Sequence, residues 1–329
     1  MDADELLARY TAGERDFQNA NLMGTNLEGA NLVGINLAGS HLGTANLNRA
    51  VLKEANLSGA FLFRTQLQRA KLEAANLKDA DLTKADLRGA ELVKASLVQA
   101  KVSGALLAGV NLRQADLQGV NFCGANLQAI NFRSANLTNA KLSWANLAGA
   151  KLSGALLQGA VLNGAKFPGA FMNGVDLSGL DLDGVDFSEA KLNGANLSGA
   201  TLTVANLSFA QLRTALLARS QLRAANLAGA ILSKADLCEA DLRKANLSEA
   251  DLREADLTGA NLNQANLSEA DLSQACLRGA YLWGANLDLA KLHGANFSDA
   301  SLRGAALEGS SLKQAILAGA TLPDGSLVN

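Results

Sequence analysis

The chain has 329 residues, with 29 Lys and Arg against 31 Asp and Glu, and it is 49% hydrophobic but only 4% aromatic. The net charge of −2 gives no overall field that would attract nucleic acid or anionic lipid, and no apolar run reaches the roughly 18 residues of a membrane helix. The three cysteines are too few, and odd in number, for a disulfide framework. Because the N-terminus is acidic and lacks the basic region of a secretory signal, we expect a soluble cytoplasmic protein.

A short helix is predicted at the N-terminus, over residues 2–12 of a lead-in segment 1–16. Asp2 or Asp4 can cap its first turn, and Gly13 can end it. Exposed edges of β-structure aggregate unless they are covered. We therefore expect the apolar residues of this helix to cover the structure that follows: Leu6, Leu7 and Tyr10.

Leucine then recurs every five residues from residue 17 to residue 322, without an insertion or a deletion. Of these 62 centre positions 54 are leucine, and the others are also apolar: Phe17, Val102, Phe122, Phe132, Phe167, Met172, Phe187 and Phe297. Two residues before each centre lies a small residue, which is Ala at 49 of the 61 sites from position 20 to position 320. The residue just before the centre is often Asn or Asp, and the residue two after it is often Gly.

A period of five fits neither an α-helix nor a flat strand. On an α-helix, five residues rotate by about 140° net, so the leucines would wind around every side. On a strand, an odd spacing would place successive leucines on opposite faces. A chain that turns a corner every five residues, four sides to a coil, sends every leucine and every small residue inward. Glycine suits the corners because tight turns often need a positive φ.

The sequence closely resembles the pentapeptide-repeat family over residues 17–322. The resemblance rests on 62 consecutive copies of a unit that reads Ala, Asn or Asp, Leu, any residue, and then often Gly. It implies an all-β solenoid, a right-handed quadrilateral β-helix of about 15 coils; the period alone gives the square coil but not its hand. The stretch Gly13–Phe17 also resembles the opening of many cyanobacterial members of the family.

Residues 323–329 are predicted to form a C-terminal tail with a turn at Pro323, Asp324 and Gly325 and little else. Such a tail is a thin cap for a β-edge. Two outcomes stay open: the last coil is partly exposed, or it meets a second copy of the chain end to end as a homodimer.

The stretch 165–190 departs most from the repeat pattern. Bulky residues occupy both its centres and its small sites: Phe167, Met172, Val175, Leu180, Val185 and Phe187. The extra volume predicts that the coil widens locally or packs more tightly. Alternatively, the glycines that fill the corners from Gly149 to Gly184 form a bare strip that a partner's backbone can approach.

Residues that could support catalysis are scattered. His41 and His293 lie 252 residues apart, so they cannot share a metal or a proton. Ser273, His293 and Asp271 fall on one face in adjacent coils, but a nucleophilic site also needs a pocket, an oriented base and oxyanion donors. We therefore expect no enzyme activity, no cofactor, no metal site and no small-molecule substrate.

Exposed aromatic residues give the clearest binding signal. Outward positions can be assigned to four faces, each named by its first centre, and five of the seven outward aromatic residues fall on the Leu22 face. Aromatic residues and arginine are enriched in binding hot spots, although aromatic residues also suit strand faces without any binding role. The candidate partner-binding residues are these five and the two arginines within two coils of Trp283: Phe61, Phe63, Trp144, Tyr281, Trp283, Arg243 and Arg303.

Two functions follow as hypotheses. The first is a non-enzymatic protein-interaction scaffold or regulator that binds a protein partner along one face of a rigid rod. The alternative, which the family resemblance supplies, is a DNA mimic that protects or inhibits a type II topoisomerase. Family members of that kind resemble acidic rods, whereas the most acidic zone here, residues 231–275, carries nine Asp and Glu against four Lys and Arg. We do not expect direct nucleic-acid binding, because basic residues are interleaved with acidic ones.

Overall fold

A computed structural model describes Met1–Asn329, and its Cα positions divide into two compact units, Met1–Ala165 and Lys166–Asn329. Each unit is a right-handed quadrilateral β-helix. Within each unit, residues 20 positions apart pair as single parallel bridges, as Asn21 does with His41 and Lys191 with Gln211. This register confirms the predicted coil of four five-residue sides.

Each side of a coil is fixed by four backbone hydrogen bonds, one of which runs from the corner residue to the next coil, as from Asn19 N to Ala38 O at 2.8 Å. Leu22 N donates to His41 O at 2.8 Å, and His41 N donates to Ala20 O at 2.9 Å, so that neighbouring coils form a continuous ladder. Ala20 N donates to Phe17 O at 3.2 Å, which closes a four-residue turn. The third residue of that turn, Asn19, has φ of 56°, as the tight turn at a corner requires.

The centre residues form the core of both units. Every centre from Phe17 to Leu302 is at most 3% exposed. Burial of a leucine or phenylalanine side chain contributes about 1.5–3 kcal/mol, so the row of centres supplies most of the apolar driving force. The neighbouring alanines are buried with them and allow the four sides to approach closely.

The Asn or Asp before each centre has two structural roles. The side-chain oxygen of Asn56 accepts from the backbone N of Ser58 at 3.2 Å, which holds the turn locally. Its side-chain amide donates to Asn36 Oδ1 at 3.0 Å, and Asn76 donates to Asn56 Oδ1 at 3.1 Å. Aspartate can accept in both roles, as Asp186 Oδ1 does from the Asn206 amide at 3.0 Å, but it has no amide to donate. Only Asn can therefore extend the side-chain ladder in both directions.

Helix α1, Ala3–Thr11, covers the first coil of the first unit. Asp2 is the N-cap, since its side chain accepts from Glu5 N at 2.8 Å. Leu6 is fully buried, and the hydroxyl of Tyr10 donates to Val33 O at 2.9 Å. The helix therefore covers the edge of the β-helix as predicted.

The last coil of the second unit is less well covered. Leu307, Leu312 and Leu317 are half-buried, unlike the centres before them. The tail turns back after Leu322 and pairs antiparallel with Thr321 through Leu327. It covers that side of the coil only.

One part of the first unit has a stretched ladder between residues 101–107 and 121–126. Lys101 and Asn121 still face each other as a bridge, but no backbone hydrogen bond of normal geometry flanks them, and Leu106 is not bridged to Asn126. Val102 N and Leu107 N, which correspond in the repeat to Leu22 N, therefore donate no hydrogen bond of normal geometry to a backbone carbonyl. A shallow cavity of about 230 Å³ opens beside this stretch.

The 167–187 region of the second unit keeps its ladder to the coils that follow it. The rings of Phe167 and Phe187 stack with centroids 5.1 Å apart and 18° between their planes. Phe167 N donates to Asp186 O, and Phe187 N to Asn206 O, both at 2.7 Å. The bulky residues, which we expected to widen the coil or to pack more tightly, are therefore accommodated with the ladder to the following coils intact, although Leu180 at a small site is only half-buried.

Candidate interaction surface

The repeat determines which side chains face outward. A buried centre is flanked on both sides by residues that point away from the core, and the ladder fixes their backbone. Phe61 and Phe63 flank Leu62 in this way and are 48% and 39% exposed. The His41 ring stacks on Phe61 with centroids 4.7 Å apart and 18° between planes, so one face of Phe61 is packed and the rest is open.

Trp144 is the most exposed large apolar residue of the first unit, at 72%. It occupies a corner with φ of 60°, a conformation that costs a residue with a Cβ roughly 1–2 kcal/mol. Its ring lies over Gly164, where an added Cβ would come within 2.5 Å of the ring. Gly164 thus provides the room that this tryptophan needs.

Tyr281 and Trp283 form a second aromatic pair in the second unit. They flank the buried Leu282 and are 55% and 53% exposed. The backbone of Trp283 is fixed by a hydrogen bond from its N to Asn263 Oδ1 at 2.8 Å. The pair is therefore a preformed apolar surface on a rigid backbone.

The two candidate arginines differ in their surroundings. Arg243 binds Asp241 with both ends of its guanidinium, Nε to Oδ1 at 2.8 Å and Nη2 to Oδ2 at 2.5 Å. That hydrogen bonding lowers the pKa of Asp241 and raises the pKa of Arg243. Arg303 forms no ion pair, so it is the arginine whose charge is available to a partner.

Sequence reasoning missed two features of the first unit. Met23 is 63% exposed on the Leu22 face, and Gly43 follows it in the same column of the ladder, one coil further on. The signal was present, since Gly43 lies directly after a centre whereas the repeat places glycine two residues after it.

The residues that resemble a catalytic triad do not form one. Asp271 Oδ1 accepts from Ser273 N at 3.0 Å, as in every other Asp turn of the repeat. His293 Nδ1 lies 2.7 Å from Gln314 Oε1 and is held by that amide. Neither of these contacts orients a base toward the Ser273 hydroxyl.

The thiols are also poorly placed for chemistry. All three cysteines are free. Burial, with the nearby carboxylates of Asp236 and Asp256, raises the pKa of Cys238 to about 12, so its reactive thiolate is scarce at neutral pH. Nowhere do three or more His, Cys, Asp or Glu side chains come together as metal ligands.

The five-residue repeat and the hydrogen bonds between coils define a solenoid protein, in which the backbone that carries the outward side chains is held in place. The family model described as "Pentapeptide repeats (8 copies)" matches segments that extend from residue 30 to residue 328 with almost no gaps. The chain belongs to the pentapeptide-repeat family. No curated protein matches it in sequence at a significant level.

Solved structures of other pentapeptide repeat proteins are similar to the chain. HetL from the cyanobacterium Nostoc, involved in heterocyst differentiation regulation, is 28% identical over 100% of both chains, with a TM-score of 0.16. Rfr23 from the cyanobacterium Cyanothece is 28% identical over 44% of this chain and 90% of its own, with a TM-score of 0.15. QnrB1, a plasmid-mediated fluoroquinolone resistance protein, is 22% identical over 46% and 81%, with a TM-score of 0.38.

Helix α1 is the one helix of the chain, and its nine residues are too short to cross a bilayer.

Proposed function

We propose that the protein is a non-enzymatic interaction protein that binds a protein partner through its outward aromatic residues. The observation that carries this proposal is the exposure of Tyr281 and Trp283 on either side of a buried leucine, on a backbone held by ladder hydrogen bonds. Rigid aromatic side chains lose little conformational entropy on binding. The arrangement therefore favours association with a partner surface.

The candidate residues differ in how well they fit such a role. Tyr281, Trp283 and the unpaired Arg303 combine the three residue types that dominate hot spots. Phe61 and Phe63 form a second apolar pair, and Trp144 presents a single large ring. Arg243 contributes less, because a partner would have to displace Asp241 to use its charge.

Affinity capture tests the proposal. The wild-type chain is compared with the double variant Tyr281→Ala and Trp283→Ala, and with Phe209→Ala as the matched control. Phe209 is 62% exposed but lies on the Leu27 face. We expect the double variant to lose specific partners, identified by quantitative mass spectrometry, and Phe209→Ala to retain them. Equal capture by all three proteins would contradict the role of this pair.

The alternative function, a DNA mimic that acts on a topoisomerase, requires a different kind of surface. A DNA mimic needs rows of carboxylates that are free to replace phosphates. In this chain Asp86, Asp241 and Asp251 are each bound by the arginine two residues later, which reduces the negative field. A gyrase supercoiling assay with the purified protein separates the two functions: inhibition, or protection from a quinolone, would support the DNA mimic over the interaction protein.

The last coil favours self-association as a second kind of partnership. Leu307, Leu312 and Leu317 are half-buried there, and their backbone N groups donate to no carbonyl. The tail already pairs antiparallel on the neighbouring side of this coil. The open sides of two copies can pair antiparallel in the same way, related by a two-fold axis. Sedimentation equilibrium should show a dimer that Leu312→Lys converts to a monomer; a concentration-independent monomer would exclude end-to-end pairing.

A further inference from the structure

Gly43 is the one glycine of the chain that its backbone does not require. Of the 31 glycines, all others have a positive φ, at corners or in the terminal turns. At Gly43 the nearest atoms to an added Cβ are Phe63 O at 3.7 Å and Met23 Cγ at 3.9 Å. A side chain would therefore fit without strain, and its absence leaves a notch in the Leu22 face.

Apolar side chains border this notch along the ladder. Met23 lies one coil before Gly43 and Phe63 one coil after it, so the two flank a gap of about 10 Å between their backbones, twice the strand spacing. Phe61, backed by the His41 ring, forms the adjoining wall. A gap of this width admits one side chain from outside, in the place that Gly43 leaves empty.

Positive charge lies on one side of the notch. The Arg64 guanidinium lies 5.2 Å from the centroid of the Phe63 ring, and neither Arg64 nor the next corner cation, Lys84, forms an ion pair. The carboxylate on the opposite side, Asp81, is the ladder partner of Phe61 and accepts from Thr83 N at 3.0 Å. An acidic group on a partner would thus be attracted toward the Arg64 corner and repelled from the Asp81 side.

The size of the surface indicates what kind of partner it fits. Met23, Phe61 and Phe63 together expose about 300 Å², well below the roughly 800 Å² per partner of a stable interface between folded proteins. A second copy of the chain would need far more contact than this. A short segment with one anchoring side chain needs no more.

We propose that the notch at Gly43 binds a short, extended segment of a partner protein that inserts one apolar side chain between Met23 and Phe63 and places a following carboxylate on Arg64 and Lys84. This site deepens the proposed interaction function and rests on it. It is independent of Tyr281 and Trp283, so the two can be tested separately.

The test uses fluorescein-labelled Gly/Ser-rich peptides with one Leu or Phe followed by Asp residues, or followed by Lys residues. Binding to the full chain is measured by fluorescence anisotropy at two salt concentrations. Three variants are compared: Gly43→Leu, which fills the notch; Arg64→Gln, which removes one charge; and Ser143→Leu, which adds the same side chain at the equivalent ladder position five coils away. Circular dichroism and urea midpoints verify that each variant is folded.

We expect the acidic probe to bind the wild type, with Gly43→Leu weakening it by about tenfold or more, which corresponds to roughly 1.4 kcal/mol. Arg64→Gln should weaken it less and reduce its salt dependence, and Ser143→Leu should leave it unchanged. The proposal is overturned if no probe binds, if the lysine probe binds as well as the acidic one, or if Gly43→Leu has no effect. A dimer that Gly43→Leu abolishes would also overturn it, because a second copy would then be the occupant.

Affinity capture with the Gly43→Leu variant distinguishes a failure of the notch from a failure of the interaction function. If Gly43→Leu retains every captured protein while the Tyr281 and Trp283 variant loses them, the interaction function stands and the notch is not its site. If both variants retain every captured protein and no probe binds, both proposals fail.

Discussion

Two regions of the molecule carry paired phenylalanine rings at centre positions, and the backbone ladder beside the two pairs differs. Phe122 and Phe132 lie on opposite sides of one coil of the first unit, and their rings meet edge to face across the core, with centroids 5.8 Å apart at 60°. Phe167 and Phe187 lie on the same side of consecutive coils of the second unit and stack. The ladder is stretched beside the first pair, whereas from the coil of Phe167 to the two coils that follow it in the second unit the ladder is intact.

The difference shows that placement matters more than added volume. Parallel rings 5.1 Å apart nearly match the spacing of about 4.8 Å between strands, so a stack along the coil axis adds bulk without separating the coils. Rings that meet across the core add their bulk to one coil, where Val120 and Ile130 also replace alanine and are fully buried. We infer that this coil is overpacked and that the adjoining ladder stretches in response.

Truncation of a ring should lower the free energy of unfolding by different amounts in the two pairs. The loss at the stacked pair is the largest effect that we predict. Phe187→Ala removes a stacked, fully buried ring and should cost about 3–5 kcal/mol. Phe122→Leu, which restores the residue that the repeat prefers, should change stability by less than about 1.5 kcal/mol in either direction. Urea unfolding followed by circular dichroism measures both, and a matched Phe187→Leu variant should lie between them. If Phe122→Leu destabilised more than Phe187→Leu, overpacking would not explain the stretched ladder.

Amide exchange should report the stretched ladder directly in the wild-type chain. Groups without a carbonyl partner open locally more easily than those in intact rungs. We expect amide protection factors to be at least about tenfold lower at 101–107 than at the same repeat positions of the second unit. This corresponds to an opening free energy lower by roughly 1.4 kcal/mol. The amides to compare are Val102, Gly104 and Leu107 with Leu202, Val204 and Leu207. Equal protection at the two sets of amides would mean that both ladders are equally well hydrogen-bonded.

The cause can be tested by rescue. If the bulk of Phe122 and Ile130 stretches the ladder, the double variant Phe122→Leu and Ile130→Ala should slow exchange at Val102 and Leu107 toward the values of the second unit. The control is Phe187→Leu, which should leave those two amides unchanged. If the control slowed exchange at these amides, or if the double variant did not, core volume would not be the cause of the stretched ladder.

The sequence predicted the coil, the core and the outward aromatic residues because each depends on a period of five that no insertion interrupts. It pointed to 165–190 as the irregular stretch, since bulky residues are most frequent there. It could not identify 101–126, because whether two rings stack or collide depends on which coil and side each occupies in three dimensions. Similarly, Gly43 reads as one glycine among 31 until its φ shows that the backbone does not require it.

Acid should produce the smallest effect, and each arginine-bound aspartate should contribute equally whether it lies in the first unit or the second. Arginine two residues later lowers the pKa of Asp86 in the first unit and of Asp241 and Asp251 in the second. A carboxylate whose folded pKa lies below its unfolded value of about 3.9 stabilises the fold above that value, and the contribution is lost as pH falls through the folded pKa. Stability should thus be level above about pH 5 and should fall below about pH 4.

Asparagine substitution isolates this contribution from the turn. Asp86→Asn and Asp241→Asn keep the side-chain oxygen that accepts from the backbone two residues later but remove the charge bound by arginine. Each should cost about 0.2–1 kcal/mol at pH 7, the range of exposed pairs, and should flatten the acid response, whereas Asp241→Ala should cost more because the turn also loses its acceptor. Urea midpoints from pH 7 to pH 3 measure all three. A larger loss for Asp86→Asn than for Asp241→Asn would report the further hydrogen bond that Asp86 Oδ2 accepts from Gln68 Nε2 at 2.6 Å, because the asparagine amide cannot accept it.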